Sequence, residues 1–225
     1  MSVSQAYSTG ISPSEAPGDA WGLSQMMGRL VEISGHRAAA NLTVAFGLVL
    51  EAQRREETAV WVTLKHSTFF PPDVAASGIS LAHLAVVRVD DARAATRATV
   101  ELTRSGGFDL VVLDLGPEAI REKLVRRDKP LHGSRGHHDS HVRKYLSTPL
   151  LTKLVGIARK NATAVVVLTE KTDRMSSVSS LISLRAEARR DKDAPHAVEV
   201  VVLKDKRRGP GRLYREVCHV PAGLR

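Results

Sequence analysis

Short apolar runs alternate with helical patterns along most of this chain, and this alternation restricts the fold more than any other feature. Six runs rich in Val, Ile and Leu have the length and composition of strands that are buried on both faces. Four stretches carry apolar residues at spacings of three and four, which is typical of amphipathic helices. The order predicts an α/β domain with a mostly parallel central sheet flanked by helices. The runs are residues 30–34, 59–64, 84–89, 110–115, 164–169 and 198–203, and the helical stretches are 42–55, 92–104, 148–161 and 178–189.

The two ends of the chain differ from this pattern. Gly209, Pro210 and Gly211 separate the last apolar run from residues 212–220, which predicts a closing β-hairpin. Residues 1–27 are rich in Ser, Gly and Pro, and we interpret them as an N-terminal tail whose end docks on the domain or on a neighbouring subunit. We expect residues 28–225 to form one core domain, because a chain of 225 residues has the length of a single domain with a tail.

Composition excludes several classes of protein. Hydrophobic residues make up 43% of the chain and charged residues 25%, a balance that excludes wholesale disorder and a fibrous repeat. The apolar runs are far shorter than the roughly 20 residues of a membrane helix, and the N-terminus lacks the apolar stretch of a signal peptide. Cys218 is the only cysteine, so neither an intrachain disulfide nor a cysteine-based zinc site is available. We therefore expect a cytoplasmic protein with no membrane partner.

The positive charge is concentrated in two segments. The chain has 33 Lys and Arg against 24 Asp and Glu, a net charge of +9. Residues 118–144 hold eight basic and four acidic side chains, and residues 204–225 hold seven and two, so these segments carry +4 and +5. A neutral body with two basic segments indicates binding to a polyanion, most often nucleic acid, so we expect the cytoplasmic protein to be nucleoid-associated. The alternative is a basic surface that serves only solubility.

A degenerate phosphate loop follows the first apolar run. The consensus G-x-x-x-x-G-K-[ST] surrounds phosphates with backbone amides, neutralises them with lysine and binds magnesium through a hydroxyl. Here Gly35 matches the first glycine, but the second glycine, the lysine and the hydroxyl residue are replaced, and a threonine follows one position too late. The replacements are Ala40, Asn41 and Leu42, and the late threonine is Thr43.

The order of the segments resembles the RecA/RadA recombinase core, and the chain is most similar to the ImuA family of short RecA-like proteins. The resemblance rests on GRLVEISG at 28–35, WVTLKH at 61–66 and TRSGGFDLVVLDL at 103–115. It continues through residues 151–169 and 198–213 and covers nearly the whole core. It implies a RecA-like fold and a role in the SOS response to DNA damage, in translesion DNA synthesis and mutagenesis.

The same resemblance assigns roles around the degenerate loop. Asp114 matches the Walker B carboxylate, although an aspartate that ends a strand is also a common turn residue. Lys65 stands where recombinases place the glutamate that positions water, and Glu170 stands approximately where they place a nucleotide-sensing glutamine. Because lysine, hydroxyl and glutamate are all missing, we expect no phosphoryl transfer and no cofactor. The rival interpretation is an atypical ATPase in which Arg37 or Lys65 replaces the missing lysine.

The resemblance also places DNA against two loops that follow the Walker B strand. The first corresponds to residues 129–144, and the second follows Thr169 and contains Lys171 and Arg174. Contacts from basic side chains to phosphates would make DNA binding independent of sequence and sensitive to salt. The candidate DNA-binding residues are Arg126, Arg127, Lys129, Arg135, Arg143 and Lys144 in the first patch and Lys204, Lys206, Arg207, Arg208 and Arg212 in the second.

Two further features carry weaker signals. His137, His138, Asp139 and His141 offer possible metal donors, but no second ligand group stands at a typical zinc spacing, so we expect no metal site. Phe69 and Phe70 favour a local packing cluster over a base-stacking platform.

Partners follow from the resemblance. It implies an inactive Y-family polymerase homologue, a replicative-type error-prone polymerase, RecA and self-association through the N-terminal segment. A competing hypothesis is a cell-division inhibitor of the SulA type, which shares a RecA-like ancestry and needs a protein surface but no DNA patch.

Overall fold

The computed structural model describes residues 21–35, 40–65, 67, 69–115, 146–190, 194 and 197–217. The expected fold class is confirmed in this part of the chain. One eight-stranded sheet, flanked by helices, has the strand order β3-β2-β4-β5-β1-β6-β7-β8. The strands are β1 (Leu30–Gly35), β2 (Ala59–Leu64), β3 (Leu84–Val89), β4 (Leu110–Asp114), β5 (Ala164–Glu170), β6 (Leu184–Arg190), β7 (Ala197–Asp205) and β8 (Leu213–Val217).

Strand direction divides the sheet into two parts. Neighbouring strands from β3 to β6 in the sheet order are parallel. The pairs β6 with β7 and β7 with β8 are antiparallel, so the chain ends in the expected hairpin. Gly209 and Gly211 in the hairpin turn have φ angles of 80° and 96°, a backbone conformation that favours glycine.

Helices cover the sheet on both faces. The described helices are α1 (Asn41–Arg54), α2 (Pro71–Ala76), α3 (Ala92–Ser105) and α4 (Thr148–Lys160), where α4 follows the undescribed residues 116–145. Asp91 caps α3 by accepting a hydrogen bond from the Ala94 amide at 2.7 Å, and Gly106 ends it in the left-handed conformation. These boundaries lie within one or two residues of those expected for three of the four helical stretches.

Each face of the sheet has its own apolar core. Val44, Leu48 and Val49 of α1 pack on one face against strand residues that include Trp61. Leu151 and Leu154 of α4 pack on the other face together with residues of α3. Side chains in the central strands alternate between the two cores, as the period of two in a strand requires. We call these two sides of the sheet the α1 face and the α3–α4 face.

The expected helix at 178–189 is wrong, because residues 184–190 form strand β6. Leu184, Ala186 and Ala188 point to the α1 face, whereas Arg185 and Glu187 alternate with them. This alternation has the period of a strand, and β6 is held by β1 on one side and β7 on the other. Tertiary pairing therefore overrides the helix propensity of a segment rich in Leu, Ala, Glu and Arg.

Residues 21–27 pack into the α1 face. Leu23 and Met26 are fully buried, and the Leu23 amide donates to a Glu51 carboxylate oxygen at 2.8 Å. The Trp21 and Tyr214 rings lie 5.9 Å apart, which places the start of this segment beside β8. Of the two docking alternatives for the end of the N-terminal tail, the described residues 21–27 follow the first, since their apolar side chains contact their own domain.

Candidate functional site

The carboxyl ends of four parallel strands gather the residues of the expected nucleotide site. Gly35 ends β1, Lys65 follows β2, Asp114 ends β4 and Glu170 ends β5. Gly35 and Glu170 are paired in register across β1 and β5. Open α/β sheets bind ligands at this edge, so the sequence positions meet where a nucleotide site would lie.

Two of the three phosphate-loop replacements contact the apolar core. Ala40 is fully buried in the α1-face core, and Leu42 packs against the same core. The Asn41 side-chain oxygen accepts a hydrogen bond from the Leu42 amide at 2.9 Å, while Thr43 is half-buried in the first turn of α1. The positions for a glycine and a magnesium-binding hydroxyl are therefore filled by apolar side chains. Residues 36–39, which include Arg37, lie outside the described residues.

Asp114 and Lys65 are each engaged by another side chain. Asp114 is 4% exposed, and the Thr63 hydroxyl on the neighbouring strand β2 donates to its Oδ2 atom at 3.2 Å. Lys65 Nζ lies 2.5 Å from Asp90 Oδ1 just beyond β3, and both side chains are mostly exposed. The Lys65 side chain thus points toward the edge strand β3. This direction does not favour the interpretation in which Lys65 replaces the missing lysine of the phosphate loop. Glu170 is exposed.

A buried charge network adjoins this edge, and its centre was not among the expected site residues. Glu32, in the middle of β1, is fully buried and accepts hydrogen bonds from the Thr169 hydroxyl and the Val178 amide, both at 3.0 Å. Lys171 Nζ lies 3.7 Å from Glu32 Oε1, and Lys171 is 5% exposed. The only sequence signal was a glutamate inside an apolar strand, which is costly to bury without partners.

The expected second DNA loop is therefore mostly occupied by internal contacts. Lys171 Nζ donates to the Ser176 carbonyl at 3.0 Å, and Arg185 donates to the carbonyls of Thr172 and Met175. Arg174 in the same connection is exposed. Lys171 is buried, so it does not present its charge at the surface.

The first basic patch lies outside the described residues, as do the four residues of the histidine cluster. Arg126, Arg127, Lys129, Arg135, Arg143 and Lys144 therefore remain predictions. Among the residues that the structure does describe, no three His, Cys, Asp or Glu side chains are grouped to hold a metal ion. No helix in that part of the chain is long and apolar enough to span a bilayer.

The side chains of the second basic patch differ in exposure. Lys206, Arg207 and Arg208 are exposed at the hairpin turn. Arg212 is held by Asp205, whose Oδ2 lies 2.6 Å from Arg212 Nη2, and Lys204 is half-buried. The exposed surface of this patch is therefore the turn that follows β7, which we call the basic turn and define as residues 206–208.

Lys204 and Lys206 converge on one acceptor. Their Nζ atoms lie 3.4 and 2.7 Å from the Ser180 carbonyl oxygen. Burial lowers the pKa of Lys204, and the neighbouring positive charge of Lys206 lowers it further. Lys204 also lines a groove of about 580 Å³ together with Leu146, Thr148 and the serine-rich residues 176–180. The groove thus combines hydroxyl groups with the Lys204 ammonium group, and Lys206 contacts the carbonyl of one of its lining residues, Ser180.

The basic turn and the degenerate nucleotide site lie at opposite ends of the parallel strands. Asp205, at the end of β7, pairs with Leu184 at the start of β6, and Ser183 donates its amide to the Leu30 carbonyl at the start of β1. These contacts put the basic turn at the amino ends of the parallel strands. A ligand at the basic turn would therefore not occupy the edge formed by Gly35 and Asp114.

Comparison with known proteins gives one family. The model of the RecA N-terminal domain family matches residues 5–179. The chain is 29% identical to RecA of Clostridium novyi over 150 residues, covering 66% of this chain and 40% of that protein. It is 24% identical to RecA of Borreliella afzelii over 220 residues, covering 88% of this chain and 58% of that protein. RecA of Clostridium perfringens is 28% identical over 150 residues, with 66% and 40% of the two chains covered. The chain thus spans roughly half the length of these curated relatives.

Proposed function

Because the chain belongs to the RecA N-terminal domain family, we propose that it is a RecA-like DNA-binding protein without ATPase activity. The observation that supports the absence of ATPase activity is that Ala40 is buried in the apolar core at the phosphate loop and Leu42 packs against that core. A phosphate loop needs backbone amides and a lysine around the phosphates, and phosphoryl transfer relies on positioning and charge neutralisation. Neither the asparagine at 41 nor the apolar neighbours can supply that charge.

The proposed DNA surface is the basic turn, extended by the first basic patch. Lys206, Arg207 and Arg208 are exposed and adjacent in sequence. Basic side chains that neutralise phosphates release counterions, which gives binding that is independent of sequence and weakens as salt rises. Only 4% of the chain is aromatic, so stacking on bases would contribute little.

The proposed biological role is that of a non-catalytic accessory protein in translesion DNA synthesis, similar to the ImuA family. In this role the DNA-binding surface would bridge DNA to an inactive Y-family polymerase homologue and a replicative-type error-prone polymerase, with RecA or a second copy of the chain as further partners. The support for it is the RecA-like core together with a phosphate loop whose second glycine, lysine and hydroxyl residue are replaced.

Charge reversal at the basic turn tests DNA binding. We expect Lys206→Glu/Arg207→Glu/Arg208→Glu to weaken binding to a labelled oligonucleotide at least 10-fold and to reduce the salt slope by about one for each lost phosphate contact. Fluorescence anisotropy over a range of salt concentrations measures both quantities. A matched control is Arg93→Glu/Arg97→Glu/Arg104→Glu on α3, which makes the same change in net charge on another surface. Equal affinities and slopes for the two triple variants would contradict the proposed surface.

A further inference from the structure

Residues 171–183 connect β5 to β6 across the α3–α4 face, and we call this connection the strap. Val178 is 2% exposed and Ile182 is fully buried, and both belong to the apolar core of that face. The strap therefore lies on the sheet, and its apolar side chains replace solvent there.

Buried charges bind the main chain of the strap. The Glu32 carboxylate accepts from the Val178 amide at 3.0 Å, and Lys171 Nζ donates to the Ser176 carbonyl at 3.0 Å. Arg185, which is 3% exposed, donates to the carbonyls of Thr172 and Met175. Four main-chain groups between positions 172 and 178 thus have ionised partners beneath them.

The three ionised side chains also belong together. Glu32 and Arg185 are paired in register on the parallel strands β1 and β6, and Lys171 Nζ lies 3.7 Å from Glu32. Hydrogen bonds to ionised groups are stronger than those between neutral groups, and a shared network makes their loss cooperative. Lifting the strap would break all four main-chain contacts and expose Val178 and Ile182 at once.

We infer that Glu32, Lys171 and Arg185 hold the strap closed without any ligand, so that the serine-rich groove is preformed. The strap carries Ser176–Ser180 along this groove and presents the Ser180 carbonyl to Lys204 and Lys206. A preformed site binds without the entropy cost of ordering a loop. We also expect DNA binding to add no order to the strap, and this part of the inference rests on the proposed function.

Hydrogen–deuterium exchange of the full chain tests this inference. In the free protein we expect the Met175, Val178 and Ile182 amides, which donate to the Thr172 carbonyl, the Glu32 carboxylate and the Ser179 carbonyl, to exchange at least 100-fold more slowly than unstructured peptides. Saturation with an oligonucleotide should change that protection less than twofold. Unprotected exchange in the free protein, or protection that arises only with DNA, would overturn the inference. Failure to bind DNA at all contradicts the proposed function, and the free-protein measurement still decides the inference.

A variant identifies the network as the cause. Glu32→Gln keeps the shape of the side chain but removes its charge, and we expect exchange in the strap to rise at least 10-fold while α4 stays protected. Glu51→Gln is the matched control, because Glu51 also accepts from a main-chain amide but on the α1 face. It should leave the strap unchanged. Should Glu32→Gln fail to fold, Lys171→Met provides the same comparison, and equal strap exchange in that variant and the wild type would overturn the assignment.

Discussion

Asp205 joins three parts of the molecule through two arginines. Its side chain is 1% exposed, with Oδ1 at 2.6 Å from Arg29 Nη2 and Oδ2 at 2.6 Å from Arg212 Nη2. Arg29 also donates to the Gln25 carbonyl and to Ser183. The carboxylate therefore connects the segment before β1, the start of β6 and the hairpin. Burial lowers the pKa of Arg29, although its hydrogen bond and ion pair with Asp205 act in the opposite direction.

Substitution of Asp205 measures this connection. Asp205→Asn leaves Arg29 buried without its counterion, and breaking a buried pair in this way costs on the order of 3–5 kcal/mol. We expect a corresponding drop in the free energy of unfolding from urea titration. Asp173→Asn is the control, because Asp173 forms an ion pair with Arg189 while about half exposed, and such pairs contribute about 0–1 kcal/mol. Equal unfolding midpoints for the two variants would contradict the account.

Stability should depend on pH through the same carboxylate. Burial alone would raise the pKa of Asp205, but hydrogen bonds from the Arg207 amide and Arg29, with the charge of Arg29, hold the pKa below its ordinary value of 3.8. A carboxyl with a lower pKa in the folded state stabilises the protein above the unfolded pKa and loses this contribution as pH falls through the folded pKa. The stability difference between the wild type and Asp205→Asn should therefore be full at pH 6 and shrink below about pH 3.8. Urea titrations across this range measure it, and a constant difference would refute the assignment.

The roles of single residues were only partly predictable from sequence. Gly35, Asp114 and Glu170 each end a strand in the sequence pattern, and because these strands are parallel, the three residues lie at the same end of the sheet. Arg212 stands in a basic run, yet its side chain contacts the buried Asp205. Asp205 also binds Arg29, which lies 176 positions earlier in the sequence. A run of basic residues does not reveal which side chains have buried partners.

At the scale of elements, residues 21–27 contribute to the core of their own domain. Met26 is fully buried against the α1 face, so Met26→Ala should cost about 2–5 kcal/mol through lost burial and the cavity that it leaves. Met27 is only partly buried, and Met27→Ala should cost clearly less. Thermal or urea unfolding compares the two. Similar stabilities for both variants would show that the segment is not packed as described.

Two elements near the chain end differ in how well the sequence predicts them. The sequence of β6 has the composition of a helix, and only its pairing with β1 and β7 makes a strand the stable choice. By contrast, the glycines and proline of the hairpin turn were sufficient to predict the hairpin, because the positive φ angles at 209 and 211 favour glycine.

At the scale of the whole molecule, the order of the central elements was predictable and their long-range contacts were not. Runs of buried strands and amphipathic helices specify a helix-flanked parallel sheet through local pattern alone. The separation of the basic turn from the degenerate nucleotide site depends on the antiparallel direction of β7 beside β6, which no local pattern encodes. With this separation, the proposed DNA surface would not need a nucleotide at the opposite ends of the strands.

Isothermal titration calorimetry of Mg-ATP binding to the full chain tests the central claim most directly. The account predicts no binding heat up to millimolar nucleotide, because Ala40, Asn41 and Leu42 remove the lysine and the hydroxyl of the phosphate loop. Micromolar ATP binding, or ATP turnover that is lost in Asp114→Ala, would contradict it.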